Sequence, residues 1–267
     1  MKYAKDYTSK IRSVIIMQIQ IFSSFKLGDF FTMRRSFARI LLALSIVICS
    51  FSVAFASATA NSIIEDAIST VHEMSKQQDA YDVAHMLRSS YAVAIVPSMV
   101  KAGLVFGGEY GEGLILVHKN GKWYGPSFYN IGGGSFGFQI GAQKVALLLA
   151  VVNENGVNAF VSSKTKLGGD IAIAAGPTGR RAEAATDAQA KASIYSYSIS
   201  KGLFAGVSLE GSVISVSVKR NSEYWGKTVK AYDALKTPAK GAKIQPLLKA
   251  LNDLLKLQNP NQSSKKK

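Results

Sequence analysis

Ser193-Ile194-Tyr195-Ser196-Tyr197-Ser198-Ile199-Ser200 alternates hydroxyl and apolar side chains without a break. Successive side chains of a strand point to opposite faces, so Tyr195, Tyr197 and Ile199 share one face and the serines line the other. This is the clearest strand in the chain. Leu203–Leu209 and Val213–Val218 follow it, separated by the turn residues Glu210-Gly211-Ser212.

Upstream, Leu114–His118 and Trp123-Tyr124 flank Asn120-Gly121, a strong two-residue hairpin signal. Tyr91–Val96 is a short apolar run stopped by Pro97. Phe128–Ile131, Phe136–Ile140, Val157–Val161 and Ile171–Ala174 are further candidate strands. Val145–Val152 fits either a strand or a buried helix, because periodicity does not separate the two in so short a run. Close strands with short turns favour an antiparallel sheet over a βαβ wind.

Helices are expected at both ends of this strand-rich body. Ile64, Ala67, Ile68, Val71 and Met74 form a stripe within a helix from Asn61 to about Leu87, capped by Asn61 or Ser62, with a possible break near Asp79. Asn221 to Leu235 reads as a closing helix. Pro246 suits a first helical position, and Leu247, Leu248, Leu251, Leu254, Leu255 and Leu257 share an apolar face beyond it. The expected class is α+β: a Gly-rich antiparallel β-sheet or barrel-like core with an N-terminal helix and C-terminal helices.

The 267 residues are 48% apolar, which excludes wholesale disorder. The net charge of +15 is unevenly placed. Residues 1–58 carry 8 Lys/Arg against 2 Asp/Glu, residues 59–226 carry 14 against 13, and residues 227–267 carry 10 against 2. The body is nearly neutral and both ends are basic, so the ends attract polyanions.

Met33-Arg34-Arg35-Ser36-Phe37-Ala38-Arg39 is basic, Ile40 to Ala54 is uncharged and apolar, and Ala56-Ser57-Ala58 supplies small residues. That is the layout of a cleavable secretory signal. Arg34-Arg35 leaves Sec and twin-arginine export both open. Four stretches are expected: 1–32, an upstream extension or a mis-assigned start before Met33; 33–58, the signal; 59–236, the domain; and 237–267, a linker, a basic amphipathic helix and a Lys tail. The expected location is outside the cytoplasm, periplasmic or at the cell envelope. Removal of the signal takes Cys49, the single cysteine, with it.

Catalytic signatures are lacking. His72-Glu73-Met74-Ser75-Lys76 misses the second His of a zinc-protease motif. Gly132-Gly133-Gly134-Ser135-Phe136-Gly137 matches G-x-G-x-x-G, but strand follows where a helix should open and no acid sits at the required distance. Gly176-Pro177-Thr178-Gly179-Arg180-Arg181 is either a basic turn or an anion contact. No catalytic residue, metal site or cofactor is expected.

Four ordered motifs resemble the SYLF domain family. They are Lys101-Ala102-Gly103-Leu104-Val105-Phe106-Gly107-Gly108-Glu109-Tyr110-Gly111-Glu112-Gly113; Gly134-Ser135-Phe136-Gly137-Phe138-Gln139-Ile140-Gly141-Ala142-Gln143; Ala175-Gly176-Pro177-Thr178-Gly179-Arg180; and Tyr195-Ser196-Tyr197-Ser198 with Lys201-Gly202-Leu203-Phe204-Ala205-Gly206-Val207-Ser208-Leu209-Glu210-Gly211. Tyr224-Trp225-Gly226 is similar to the family's aromatic ending. The resemblance implies a lipid-binding module without known catalytic activity. Eukaryotic relatives bind phosphoinositides and some bind actin; exported bacterial relatives carry the domain nearly alone behind a signal. In some members an N-terminal amphipathic segment contacts membrane. Here that helix presents Glu65, Asp66, Glu73, Asp79 and Asp82, which an anionic surface repels, so the role is not carried over.

The expected function is therefore binding of anionic phospholipid, with phosphoinositide-like headgroups, at a membrane surface. The alternative is a protein-interaction module of the actin or filament type. Export and the neutral body argue against nucleic acid. Lys164, Lys166, Arg180, Arg181 and Lys201 are expected to form a phosphate-binding face. Leu251, Leu254 and Leu255 are the candidate insertion residues, with Lys249, Lys256, Lys265, Lys266 and Lys267 near headgroups. Docking of the same helix on the domain's own core is the competing expectation.

Overall fold

The computed structural model describes residues 58–103, 106–136, 141–176, 192–200 and 209–258. The chain runs through α1 (Ala60–Met74), α2 (Ala80–Arg88), β1 (Ala92–Gly103), β2 (Phe106–Lys119), β3 (Lys122–Phe136), β4 (Gly141–Val151) and α3 (Glu154–Val161). It continues with β5 (Thr165–Lys166), β6 (Ile173–Ala175), β7 (Ile194–Ser200), β8 (Val213–Val216), α4 (Val218–Trp225), α5 (Ala231–Ala234) and α6 (Gln245–Leu255). The eight strands form one sheet in the order β5-β8-β3-β2-β1-β4-β7-β6. All neighbours are antiparallel except β6 and β7. The sheet curls into a half-barrel with helices at both chain ends, as the strand spacing predicts.

Both faces of the central strands are covered, which explains their unbroken apolar runs. Val93, Ile95, Leu114, Leu116, Phe128 and Leu148 pack beneath α1, α2 and α6. Ala94, Val96, Met99, Ile115, Tyr129 and Leu149 pack on the opposite face with Phe160 of α3 and Leu235. Tyr129 and Phe160 meet edge to face at 4.8 Å. Val145–Val152 is thereby settled as strand: β4 pairs with β1 on one side and β7 on the other.

Several local expectations are corrected. Pro97 does not end its strand. It sits in a bulge where the β1 register slips between Ile95 and Ser98, so its missing N–H breaks no ladder bond and β1 continues to Gly103. Val157–Val161 is helical, because the Asn153 side chain caps α3 by accepting from Gly156 N at 2.8 Å and Phe160 is turned into the core. The cap of α1 is Thr59 rather than Asn61 or Ser62, with Ser62 completing a reciprocal box. Asn221 to Leu235 is two helices, α4 and α5, because Gly226 ends α4 in a left-handed conformation at φ 67°. The candidate strand Leu203–Leu209, apart from Leu209, lies outside the described residues, as do residues 1–32, the signal segment 33–58 apart from Ala58, and residues 137–140 of the candidate strand Phe136–Ile140.

Helix α6 is docked. Leu247, Leu248, Leu251 and Leu254 are buried against α1, α2 and the sheet. Arg88 of α2 donates from Nη1 to the carbonyls of Leu255 and Leu257 at 2.8 and 2.9 Å, closing the helix end. Burial of each leucine contributes about 1.5–3 kcal/mol. Insertion of these leucines into lipid would recover a similar gain but bare the apolar faces of α1 and α2, so docking wins. The expected insertion through Leu251 and Leu254 is therefore corrected, and Leu255 packs against the same core. Among the described residues no helix is long and apolar enough to cross a membrane.

Candidate functional site

Four of the sequence-selected cations, Lys164, Lys166, Lys249 and Lys256, lie among the described residues. Lys164 and Lys166 are exposed beside and on the short edge strand β5. Lys249 and Lys256 are exposed on α6 and both engage Asp253, at 2.8 and 3.4 Å. The Lys249 hydrogen bond holds the Asp253 carboxyl below the ordinary carboxylate range and raises the Lys249 ammonium. Part of this helix's positive charge is thus spent locally. Arg180, Arg181, Lys201, Lys265, Lys266 and Lys267 lie outside the described residues.

Sequence reading missed two polar networks built on the Gly-rich part of β2. Glu109 pairs in register with Lys101 across β1 and β2, and Lys101 Nζ lies 2.6 Å from its carboxylate. Ser212 Oγ donates to the other carboxylate oxygen. The acid is nearly enclosed, with a side chain 8% exposed. Gly133 provides the clearance: a Cβ there would lie 3.2 Å from Ser212 Cα and close to the Glu109 side chain.

The second network centres on Arg220 of α4. Its Nη2 lies 3.3 Å from Glu112 Oε1, and its Nη1 lies 3.2 Å from Glu223 Oε2. Glu223 Oε1 accepts from the Ala60 backbone at 3.2 Å, which ties the start of α1 to α4. Tyr110 donates its hydroxyl to Glu112 at 3.2 Å. Burial first, then the neighbouring Glu112, pushes the Tyr110 hydroxyl pKa up. The signal for both networks was present in Gly108-Glu109-Tyr110-Gly111-Glu112-Gly113: acids in a strand, flanked by glycines. One partner, Lys101, comes from the preceding strand β1, and the others come from α4 and the turn before β8, far away in sequence.

These carboxylates are committed to cations and hydroxyls, which suits scaffolding rather than proton transfer. Among the described residues no group of three His, Cys, Asp or Glu side chains is placed to hold a metal. His118 lies face to face with Trp123 at 4.4 Å, and burial lowers its pKa. The exposed large apolar side chains among the described residues are Tyr81, Tyr91, Tyr110, Val218 and Tyr232. Four of the five are tyrosines, amphipathic groups suited to a polar contact surface.

A curled, almost wholly antiparallel sheet, covered on both faces by helices and carrying internally paired charges, defines an α+β fold class. Comparison with known proteins makes this specific. Residues 132–254 match the family model described as Ysc84, Las17-binding protein actin regulator. The bovine and human proteins named SH3 domain-containing YSC84-like protein 1 are each 34% identical over 154 residues, covering 57% of this chain and 45% of theirs. LAS seventeen-binding protein 3 of Saccharomyces cerevisiae is 37% identical over 145 residues, covering 53% of this chain and 31% of its own. The matched region spans less than half the length of these relatives. These matches support the resemblance of this chain to the SYLF (Ysc84) domain family.

Proposed function

We propose that this chain is a non-enzymatic binding module whose partner is a protein. The observation that carries the reading is the match of residues 132–254, from within β3 to α6, to a family described by protein binding and actin regulation. Tyrosines make up four of the five exposed large apolar side chains among the described residues, which supports it. The match covers less than half of each relative, so the partner is proposed by its chemistry, an anionic protein surface, rather than by a relative's name. Export directed by residues 33–58 remains part of the proposal and places that encounter outside the cytoplasm.

The second reading is direct contact with anionic phospholipid. It is favoured by the excess of 10 lysines over 2 acids in residues 227–267. With the α6 leucines docked, such contact is electrostatic, about 1 kcal/mol per lysine near the surface, and fades with salt.

Two parallel measurements on the whole chain separate the readings: co-sedimentation with actin filaments, and flotation with phosphatidylserine-containing vesicles. Filament binding without flotation supports the protein reading. Flotation that disappears in high salt, without filament binding, replaces it with the lipid reading. Substrate turnover in a hydrolase screen would overturn both.

A further inference from the structure

We infer that the tip of the β2–β3 hairpin and the segment after α5 form one rigid basic row, Lys119–Lys122–Lys240, that docks an acidic, extended protein segment. This rests on the protein-binding reading above and assigns its surface.

The row is built by backbone pairing. Asn120 and Gly121 both adopt positive φ, 52° and 71°, and make a tight turn that sets Lys119 directly opposite Lys122. The segment after α5 then lies along the other side of β3. Gly125 N donates to Thr237 O at 2.9 Å, Ala239 N donates to Trp123 O at 2.9 Å, and Tyr124 bridges Pro238 in antiparallel sense. Lys122 and Lys240 directly flank the Trp123–Ala239 contact, so Lys240 comes alongside Lys122. Neighbouring chains in a sheet are about 4.8 Å apart, so the three lysines step across roughly 10 Å.

The face is fixed by alternation. Trp123 and Ala239 belong to the core beneath the helices. Their neighbours Lys122 and Lys240 therefore emerge on the opposite face, and Lys119 joins them as the partner of Lys122. All three are exposed, and none forms an ion pair among the described residues. Lys249 and Lys256, by contrast, are both occupied by Asp253. On the same segment Lys236 holds its ammonium 3.9 Å over the exposed ring of Tyr232, adding a cation and an aromatic surface near the row.

The geometry favours a protein segment over a bilayer. The described exposed apolar side chains include no Leu, Ile, Phe or Trp to insert. The charges are mounted on paired backbone, which fixes their spacing and lowers the entropy lost on docking a chain of carboxylates. Addition of a strand at this edge is opposed by Pro238, which has no N–H to offer. Recognition therefore runs through side chains, and charge complementarity sets its rate and its salt dependence.

The test measures binding of a fluorescently labelled polyglutamate peptide to the whole chain at low ionic strength. Four proteins are compared: wild type, K119E/K122E/K240E, the milder K119Q/K122Q/K240Q, and a control, K249E/K256E, whose charge loss lies between those of the two row variants. Circular dichroism melts of each variant establish folding; the Gln variant serves if the Glu variant melts early. The expected result is binding weakened by about tenfold or more in the row variants, with the control within about twofold of wild type. Equal loss in row and control variants would overturn the row as the docking surface. So would unchanged binding in the row variants, and that outcome would leave the protein-binding reading standing. A wild-type chain that ignores the peptide yet floats with anionic vesicles would overturn both.

Discussion

Trp123 donates its indole N–H to Asn252 Oδ1 at 2.8 Å, linking the β2–β3 hairpin to the C-terminal helix across 129 positions of sequence. The same tryptophan accepts Ala239 N through its carbonyl and stacks on His118. The basic C-terminal segment is thus part of the fold at its centre, and α6 follows as a component of the core. Leu251→Ala should therefore lower stability by about 2–5 kcal/mol, the range for truncating a buried leucine. Chemical denaturation checks this. A loss under about 0.5 kcal/mol, the scale of a surface substitution, would mean that the helix is not docked.

Asn221 stands in for a strand. Its Oδ1 accepts Phe128 N at 3.0 Å and its Nδ2 donates to Phe128 O at 3.2 Å, and the residue is fully buried. Asn221→Ala strands a buried backbone donor. The expected loss is about 1–3 kcal/mol, with faster amide exchange at Phe128 than in wild type. Protection of that amide unchanged in the variant would contradict the assignment.

Arg220 and Lys249 should respond very differently to removal. Arg220→Met leaves Glu112 partly enclosed without its cation and should cost about 3–5 kcal/mol. Lys249→Ala removes an ion pair that is exposed on both sides and should leave the melting temperature nearly unchanged. Similar melting temperatures for the two variants would refute the distinction.

Glycine placement separates two positions on adjacent strands, Gly113 of β2 and Gly134 of β3. A Cβ at Gly113 would collide with the Ile95 carbonyl and come within 2.9 Å of Tyr129 Cζ, whereas one at Gly134 would meet nothing within 4 Å. Gly113→Ala should cost about 1–3 kcal/mol and Gly134→Ala close to nothing. Equal melting curves for the two variants would show that the Tyr129 ring does not occupy the space above Gly113.

Alkaline pH should unfold the domain through its buried phenols. Burial raises the pKa of both Tyr129 and Tyr197 above the ordinary value of 10.0, for Tyr197 with further help from Asp82 and Asp79. Both hydroxyls are buried without a hydrogen-bond partner among the described residues. The folded state holds these protons longer than the unfolded state does. Stability is therefore undiminished below about pH 10 and falls as pH rises from there toward the folded-state values. Tyr129→Phe removes an unsatisfied hydroxyl, so it should be neutral or stabilising at neutral pH and should flatten the alkaline loss. A pH series of thermal melts reads both effects, and a steeper alkaline loss in the variant would reverse the sign of the claim.

Local chemistry was legible from the residues. Asn120-Gly121 places its hairpin because only a few residue types accept two successive positive φ values. SIYSYSIS reads as β7 because a period of two has one structural meaning at that length. The acids among the glycines of β2 were legible as letters but not as a network, since Lys101, Ser212 and Arg220 reach them only through strand register and helix placement.

Composition and periodicity by themselves determined that this chain builds an antiparallel, Gly-rich sheet with helices at its ends, because turn chemistry and side-chain alternation act over a few residues. They left open what covers the leucines of α6, since an apolar stripe looks the same whether lipid or protein lies against it. Tertiary structure alone decided that, by setting α1, α2 and Trp123 against the stripe. It also placed Lys119, Lys122 and Lys240 side by side, because Lys122 and Lys240, 118 positions apart, become neighbours only when the chain returns along β3.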